Sequence, residues 1–169
     1  MRRERSVRLL TPADWRTFRA VRLQALADAP LAFGSTLAEE RERPGRAWGQ
    51  RLAGRACFAA WHGQDAVGVV CGIASDEEVG AAELISMWVH PAERGTGIAG
   101  QLVDAVLAWA AAEGYGEVRL WVTDGNDRAE RLYARHGFRR TGGTQPYPND
   151  PERVELEMRA VVQAGASPA

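Results

Sequence analysis

The residues most suited to chemistry form a glycine-rich turn past the middle of the chain, Arg94-Gly95-Thr96-Gly97-Ile98-Ala99. An apolar segment precedes this turn and a helical pattern follows it, which predicts a strand, a tight turn and a helix. Glycine adopts positive φ and lets a ligand approach the backbone closely. Such a turn aims backbone N–H groups at one point, at the positive end of a helix dipole, where a phosphate can bind. Arg94 can add a charge-assisted contact to the same anion.

Two kinds of nucleotide site could use this turn. Residues 95–100 spell Gly-x-Gly-x-x-Gly, and Asp124 follows the next predicted strand, as the dinucleotide-binding fingerprint asks. However, the glycines follow a predicted antiparallel hairpin, and little sequence remains for the later βαβ units of a doubly wound fold. A proline and an arginine also precede the glycines, which that fingerprint does not require. The context therefore disfavours a dinucleotide site.

The periodicity of the remaining chain predicts the elements that position this turn. Strand-like and helix-like segments favour a mixed α/β domain, antiparallel except for one right-handed crossover through the helix after the turn. Predicted strands cover residues 6–10, 56–61, 66–73, 83–89, 118–122, 138–141 and 153–158. Predicted helices cover residues 11–28, 36–49 with a break at 44–45, 98–114 and 127–137. The proline-containing segment 142–151 is predicted to be a loop.

Two motifs in the right order resemble the GNAT superfamily of N-acetyltransferases. Arg94, Gly97 and Ala99 fill that family's R/Q-x-x-G-x-G/A coenzyme A loop, and residues 126–138 resemble its N-x-x-A-x-x-L-Y-x-x-x-G-F segment. Residues 22–26 and 32–36 also look like a common bacterial subgroup. The resemblance implies a GNAT fold, with a mixed, mostly antiparallel sheet whose central parallel strand pair splays apart between flanking helices. We expect one domain over residues 1–162 and a disordered tail over 163–169.

The resemblance implies acetyl-coenzyme A as the acetyl donor, no metal, and direct attack by a primary amine of a small molecule or peptide. A protein that binds coenzyme A as a sensor or scaffold, without turnover, is the alternative from another class. In the family, the strand before the turn holds the pantetheine arm and the turn holds the pyrophosphate. Carried onto this chain, the cofactor-binding residues are Met87, Trp88, Val89, Arg94, Gly95, Thr96, Gly97, Ile98, Ala99, Asn126, Ala129 and Tyr133.

Three side chains are candidates for roles near the reacting atoms. Tyr133 matches the family's usual general acid, which protonates the leaving thiolate, although it could instead be a packed helix tyrosine. Glu83 matches a strand position where some members carry a catalytic base, acting directly or through water, and the alternative is a surface charge. Asn126 matches a residue that bonds the cofactor arm or a water molecule, and it also suits a helix N-cap.

The acceptor site is less clearly marked in the sequence. In the family, the first helices and the late loop flank the acceptor, so Phe33, Trp48 and Tyr147 are candidate substrate contacts. Ordinary packing of these aromatic side chains is the alternative. A small amine, an antibiotic, an amino acid and a protein N-terminus all remain open as acceptors.

Composition limits the function classes. Lys+Arg total 21 and Asp+Glu total 22, so a formal net charge of −1 provides no field that draws the chain to nucleic acid or an anionic membrane. No run of about 18 apolar residues exists, and the N-terminus lacks the apolar core of a secretory signal. No Cys/His spacing suits a metal. We expect a cytoplasmic protein without nucleic-acid or membrane partners, and a homodimer only by analogy with the family.

Cys57 and Cys71 fall in the two strands of a predicted hairpin, where their sulfur atoms could lie close together. Small buried residues are the simplest interpretation of both. We therefore predict two reduced core thiols, in keeping with a reducing cytoplasm.

Overall fold

The structure, a computed structural model, describes residues 4–148 and 150–163. It contains a seven-stranded sheet with the order β1-β2-β3-β4-β5-β7-β6. The strands are β1 Arg5–Leu9, β2 Ala56–His62, β3 Asp65–Ala74, β4 Ala81–Val89, β5 Glu117–Thr123, β6 Arg139–Tyr147 and β7 Asp150–Val161. The α-helices are α1 Trp15–Asp28, α2 Leu37–Glu42, α3 Gly45–Ala53, α4 Ile98–Ala112 and α5 Asp127–Arg135. Residues 164–169 of the predicted tail lie outside the described residues.

The sheet confirms the mixed, mostly antiparallel prediction. Every neighbouring pair of strands is antiparallel except β4 and β5, which are parallel and joined by α4. Only Ala81–Glu83 of β4 pairs with β5, through residues 117–119, and beyond these residues the two strands separate. The parallel pair therefore opens into a gap at its carboxyl end.

A bulge in β4 accompanies this separation. Val69 of β3 pairs with Trp88, and Cys71 pairs with Ile85, so two β4 residues oppose a single β3 residue between these positions. Within the bulge, Ser86 has a φ of 58°, a left-handed conformation found at no other non-glycine among the described residues. A bulge of this kind bends its strand and re-aims the side chains around it.

Helices cover both faces of the sheet. On one face, α4 contributes Leu102, Val103 and Val106 to a buried cluster with Val118 and Leu120 of β5. The amphipathic pattern predicted for this helix accounts for that packing.

On the other face, Phe18 of α1 and Trp48 of α3 pack edge to face at 5.7 Å within a second buried cluster. The predicted break between α2 and α3 at Pro44-Gly45 is confirmed. It lets α3 turn its apolar residues towards this second cluster.

Charged side chains form a network on the face of β5 and β7 that is opposite α4. Arg119 is buried and lies 2.6 Å from Glu77, 3.2 Å from Glu83 and 3.7 Å from Glu157. Arg159 continues the network to Glu78, Glu117 and Glu157. These arginines thus hold several carboxylates of the sheet in fixed positions.

Two of the sequence predictions are wrong, one about the cysteines and one about segment 142–151. Cys57 and Cys71 are directly opposite each other in the β2–β3 ladder and form a disulfide, with Cα atoms 4.1 Å apart, rather than two reduced thiols. Disulfides persist in oxidising compartments, so this bond gives the cytoplasmic expectation no support. Segment 142–151 is mostly strand rather than loop, because β6 and β7 pair with each other as far as Tyr147 and Asp150. Pro146 is tolerated there because β6 is an edge strand.

Glu40 is a fully buried acid that ties α2 to α3. Its carboxylate accepts hydrogen bonds from Ser35 at 2.5 Å, from Arg43 at 3.0 Å and from Arg51 at 3.1 Å. Burial alone would raise the pKa of Glu40, but these hydrogen bonds and charges hold it below its usual value. The ionised form is therefore the one that the fold stabilises.

We predict that Glu40→Gln lowers the free energy of unfolding by about 2–3 kcal/mol near neutral pH, because two arginines lose their buried counter-charge. Urea denaturation measures this change. The matched control is Glu42→Gln, which removes the same charge from an exposed position of α2. Equal stabilities of the two variants would contradict the structural role of the Glu40 carboxylate.

Candidate active site

A large cavity of about 760 Å³ opens where β4 ends and α4 begins. We call it the glycine-loop cleft. The end of β4, the glycine turn, the first turns of α4 and one side of α5 form its walls. Its lining residues are Met87, Trp88, Val89, Arg94, Gly95, Gly97, Ala99, Gly100, Gln101, Asp104, Asn126, Arg128, Ala129, Leu132, Tyr133, Arg135 and His136.

The glycine turn offers a set of free backbone donors to this cleft. Gly95 and Gly97 have φ values of 80° and 88°, and Gly97 is the N-cap of the 15-residue helix α4. No described residue accepts a hydrogen bond from the N–H groups of residues 95–100. Together with the helix dipole, these free donors are the local geometry that suits an anion, and the binding of an anion here stays a prediction.

The structure gives Arg94 partners that the sequence does not reveal. Its Nη2 donates to Asp28 at 2.7 Å, and its Nε donates to the Val89 carbonyl at 3.1 Å. Trp88 Nε1 also donates to Asp28. The hydrogen bond from Trp88 and, to a smaller extent, the one from Arg94 lower the pKa of the Asp28 carboxyl. Arg94 lines the cleft, yet its guanidinium already anchors the turn to α1.

Thr96 and Ile98 do not line the cleft with their side chains. The Thr96 hydroxyl donates to the Glu93 carbonyl at 2.6 Å, and the Ile98 side chain is fully buried beneath α4. Their predicted contribution to cofactor binding is therefore limited to backbone N–H groups.

Sequence reasoning missed three basic residues of the cleft. Arg128, Arg135 and His136 line it from α5 and its C-cap, and the His136 ring bonds Asp104 of α4 at 2.7 Å. Their spacing in the sequence could have indicated two of them, since positions 128 and 135 are two helical turns apart and so share one face of α5. Arg128 and Arg135 add positive charge beside the free N–H groups, and His136 adds a polar ring.

A second cavity of about 170 Å³ lies in the gap between the separating strands β4 and β5. We call it the strand-gap cavity. Met87, Asn126, Ala129 and Tyr133 line both cavities, so the two meet at these four residues. The other lining residues are Ala32, Phe33, Leu84, Ile85, Ser86, Leu120, Trp121, Val122, Thr123, Tyr147 and Glu155.

Tyr133 occupies the junction of the two cavities. Its side chain is largely buried, at 7% exposure, and packs edge to face with Phe138 at 5.8 Å. Its hydroxyl has no hydrogen-bond partner among the described residues. Burial raises the pKa of Tyr133 to about 12, so the phenol keeps its proton throughout the neutral range.

Asn126 acts as the predicted N-cap of α5, because its Oδ1 accepts a hydrogen bond from the Ala129 N–H at 3.3 Å. It also lines both cavities. The cap fixes the start of α5 and thereby the position of Tyr133, two turns further along the same helix. A bond from Asn126 to the cofactor stays a prediction.

Glu83 and Trp48 do not lie with the other candidates. Glu83 bonds Arg119 at 3.2 Å and lines neither cavity, so its position is that of an ion-pair partner. Trp48 is completely buried against Phe18 and cannot contact a bound molecule in this structure. Phe33 and Tyr147, the other two predicted acceptor contacts, both line the strand-gap cavity, and their role in binding an acceptor stays a prediction.

Comparison with known proteins gives this arrangement a family. A sequence model described as the Acetyltransferase (GNAT) family matches residues 21–138. This match covers more than half of the chain and includes the glycine turn, Asn126 and Tyr133. The chain therefore belongs to the GNAT acetyltransferase family.

Solved structures share the fold. An acetyltransferase of the GNAT family from Streptococcus pneumoniae has a TM-score of 0.77 and 19% identity, covering 94% of this chain and 99% of that one. YncA from Salmonella typhimurium, described as an acetyltransferase and solved with its cofactor acetyl-CoA, has a TM-score of 0.75 and 19% identity over 98% of each chain. At such identities the likeness establishes the fold alone.

A curated relative is closer in sequence over a shorter stretch. An uncharacterised N-acetyltransferase of Mycobacterium bovis is 38% identical over 90 residues, which are 52% of this chain and 55% of that protein. The chain thus spans about half the length of the curated relatives it matches.

Two further findings concern metals and membranes. Within residues 4–148 and 150–163, no group of three or more His, Cys, Asp or Glu side chains is placed to hold a metal ion. In the same residues, no helix has the length and apolar character needed to cross a membrane.

We predict that the Tyr133 phenol ionises near pH 12 rather than near 10, because burial disfavours the phenolate. Tyrosinate absorbance of the natural protein minus that of Tyr133→Phe isolates this step, and circular dichroism verifies folding at each pH. Since the folded pKa exceeds the unfolded value, this group's contribution to stability is intact below about pH 10 and falls as pH rises towards 12. A step near pH 10 in the folded protein would contradict the buried position of Tyr133.

Proposed function

We propose that this protein transfers the acetyl group of acetyl-coenzyme A to a primary amine of a small molecule or peptide by direct attack. The observation that carries the proposal is the unpartnered, protonated Tyr133 hydroxyl at the junction of an anion-binding cleft and a second cavity. A proton donor placed between a cofactor site and an acceptor site is what acetyl transfer requires.

The residues of the glycine-loop cleft suit coenzyme A. The free N–H groups of residues 95–100 match a pyrophosphate, and Arg128 and Arg135 supply positive charge for further phosphate oxygens. Met87, Trp88 and Val89 line the adjoining wall, where β4 has lost β5 as a hydrogen-bond partner. This backbone can therefore bond the amides of an extended pantetheine arm.

The donor supplies an activated acyl thioester, and the protein provides position and protons. The strand-gap cavity admits the acceptor between Phe33 and Tyr147 and leads its amine to the shared residues. The amine nitrogen forms a bond to the acetyl carbon, and the carbon–sulfur bond breaks. Tyr133 donates its proton to the leaving thiolate, a role that suits a phenol that stays protonated at working pH. The proton released by the attacking nitrogen returns to the Tyr133 phenolate, directly or through water. A base role for Glu83 would need a chain of water molecules, since that side chain lies outside both cavities.

Gly97→Ala tests the cofactor site. We expect at least about tenfold weaker binding of acetyl-coenzyme A by calorimetry, because a side chain at positive φ distorts the N-cap that aims the free donors. Gly114→Ala, at a φ of 86° just past the other end of α4, is the matched control. Both variants should lose about 1–2 kcal/mol of stability, and only the first should lose affinity.

NADH serves as the second control in this titration. The natural protein should bind the coenzyme A species and leave NADH unbound. Binding of NADH alone would replace the proposed cofactor with a dinucleotide.

Tyr133→Phe tests the proton donor. In a thiol-release assay with an amine found by screening, kcat should fall about 100-fold, the usual scale of general acid catalysis, while acetyl-coenzyme A affinity stays unchanged. Tyr115→Phe removes a hydroxyl from a ring that packs on Trp109 outside both cavities and should retain full kcat. If Tyr133→Phe also retains full kcat, the general acid is another group. Coenzyme A binding without release of thiol from any amine would favour the sensor or scaffold alternative.

A further inference from the structure

The strand-gap cavity has a distinct charge. Among its lining residues, Glu155 of β7 is the single charged side chain. Trp121 and Tyr147 contribute aromatic rings to the same wall, and the remaining lining is apolar or neutral. An anionic, partly aromatic wall attracts cationic groups and disfavours anions.

Glu155 is also a carboxylate without a cationic partner. It lies between Thr123 of β5 and Gln145 of β6, and its Oε2 accepts a hydrogen bond from Gln145 Nε2 at 2.7 Å. No described arginine or histidine lies within 4 Å of it.

Three other carboxylates of the same sheet are paired with arginines. Glu83, Glu117 and Glu157 each lie about 3 Å from Arg119 or Arg159. Glu155 therefore differs from them in facing a cavity with its charge uncompensated. Burial and, to a smaller extent, the charge of Glu155 raise the pKa of Tyr147, whereas the charge of Arg153 lowers it.

The position of Glu155 separates it from the reacting atoms. The residues common to both cavities, Tyr133 among them, mark the place where donor and acceptor meet. Glu155 lines the strand-gap cavity and does not line the glycine-loop cleft. It is thus placed to contact a part of the acceptor other than the amine that is acetylated.

Three arginines contact or act on lining residues without lining the cavity themselves: Arg119 at the Trp121 ring, Arg153 near Tyr147, and Arg22. Arg22 is the one of the three that belongs to the helical layer. It donates to Ser86 Oγ at 3.2 Å and stacks over the Phe33 ring at 4.3 Å, yet it is not a lining residue. Burial lowers the pKa of Arg22 to about 10. An acceptor with a carboxylate would need to reach this guanidinium through the wall, whereas a cation meets Glu155 directly.

We propose that Glu155 determines acceptor specificity by holding a second cationic group, so that the preferred acceptors are diamines or similar dications. One amine reaches Tyr133 and the other binds the Glu155 carboxylate, while Trp121 and Tyr147 contact the chain between them. This inference deepens the proposed acetyl transfer and rests on it for the identity of the cavity as the acceptor site.

The test uses straight-chain alkyl diamines and monoamines of equal length. In thiol-release kinetics, Glu155→Gln should raise KM for diamines about tenfold or more, because a charge-assisted contact is lost. Its kcat and its KM for monoamines should stay near those of the natural protein. Glu152→Gln, an exposed position of β7 outside the cavity, is the matched control and should leave all constants unchanged.

Calorimetry of the diamines with the protein saturated in coenzyme A, which cannot transfer an acetyl group, separates the two proposals. Binding that Glu155→Gln abolishes, without thiol release from any amine, would support the cation site and refute acetyl transfer. If the natural protein and Glu155→Gln both release thiol with the same KM for diamines, the cation site is refuted and acetyl transfer is left intact. Absence of diamine binding would overturn the inference. A preference for amino acids over diamines would also overturn it and would indicate that Arg22, rather than Glu155, selects the acceptor.

Discussion

The separation of β4 from β5 after three paired residues is the constraint on which the site depends. A fully paired sheet would close the strand-gap cavity and leave the glycine-loop cleft as a surface groove. The bulge at Ser86 bends β4, while α4 packs across both strands and keeps them in one core. Where β4 and β5 no longer pair, their backbone N–H and C=O groups are free to bond a ligand, and the gap between the strands provides space for it in an otherwise closely packed core.

The helices opposite α4 hold the site from a second direction. Asp28, at the end of α1, accepts hydrogen bonds from both Trp88 and Arg94 and so fixes the strand end and the glycine turn together. Glu40 ties α2 to α3, and Arg22 links α1 to Ser86 in the bulge. The contacts of Asp28 and Arg22 are long-range in sequence and connect α1 to the end of β4, to the glycine turn and to the bulge. Glu40 acts within the helical layer itself.

The likeness to solved GNAT structures at 19% identity has a physical basis in this arrangement. A phosphate site made from backbone N–H groups needs glycines at two positions of positive φ and little else from the side chains. In the proposed function the side chains of the strand-gap cavity meet the acceptor rather than the donor, so they carry no such requirement. We therefore expect residues such as Trp121, Tyr147 and Glu155 to set the acceptor specificity of this protein.

The sequence by itself determined the features that local chemistry decides. These are the glycine turn, the Asn126 N-cap of α5, the crossover through α4 and the placement of Tyr133 on that capped helix, since each depends on residues within one or two turns. Tertiary structure alone decided the rest. Glu83 pairs with Arg119, Trp48 enters the core, Cys57 bonds Cys71, and Glu155 reaches the strand-gap cavity. The physical reason is that these outcomes depend on which strands pair and where they part, and hydrophobic periodicity records burial without naming the partner.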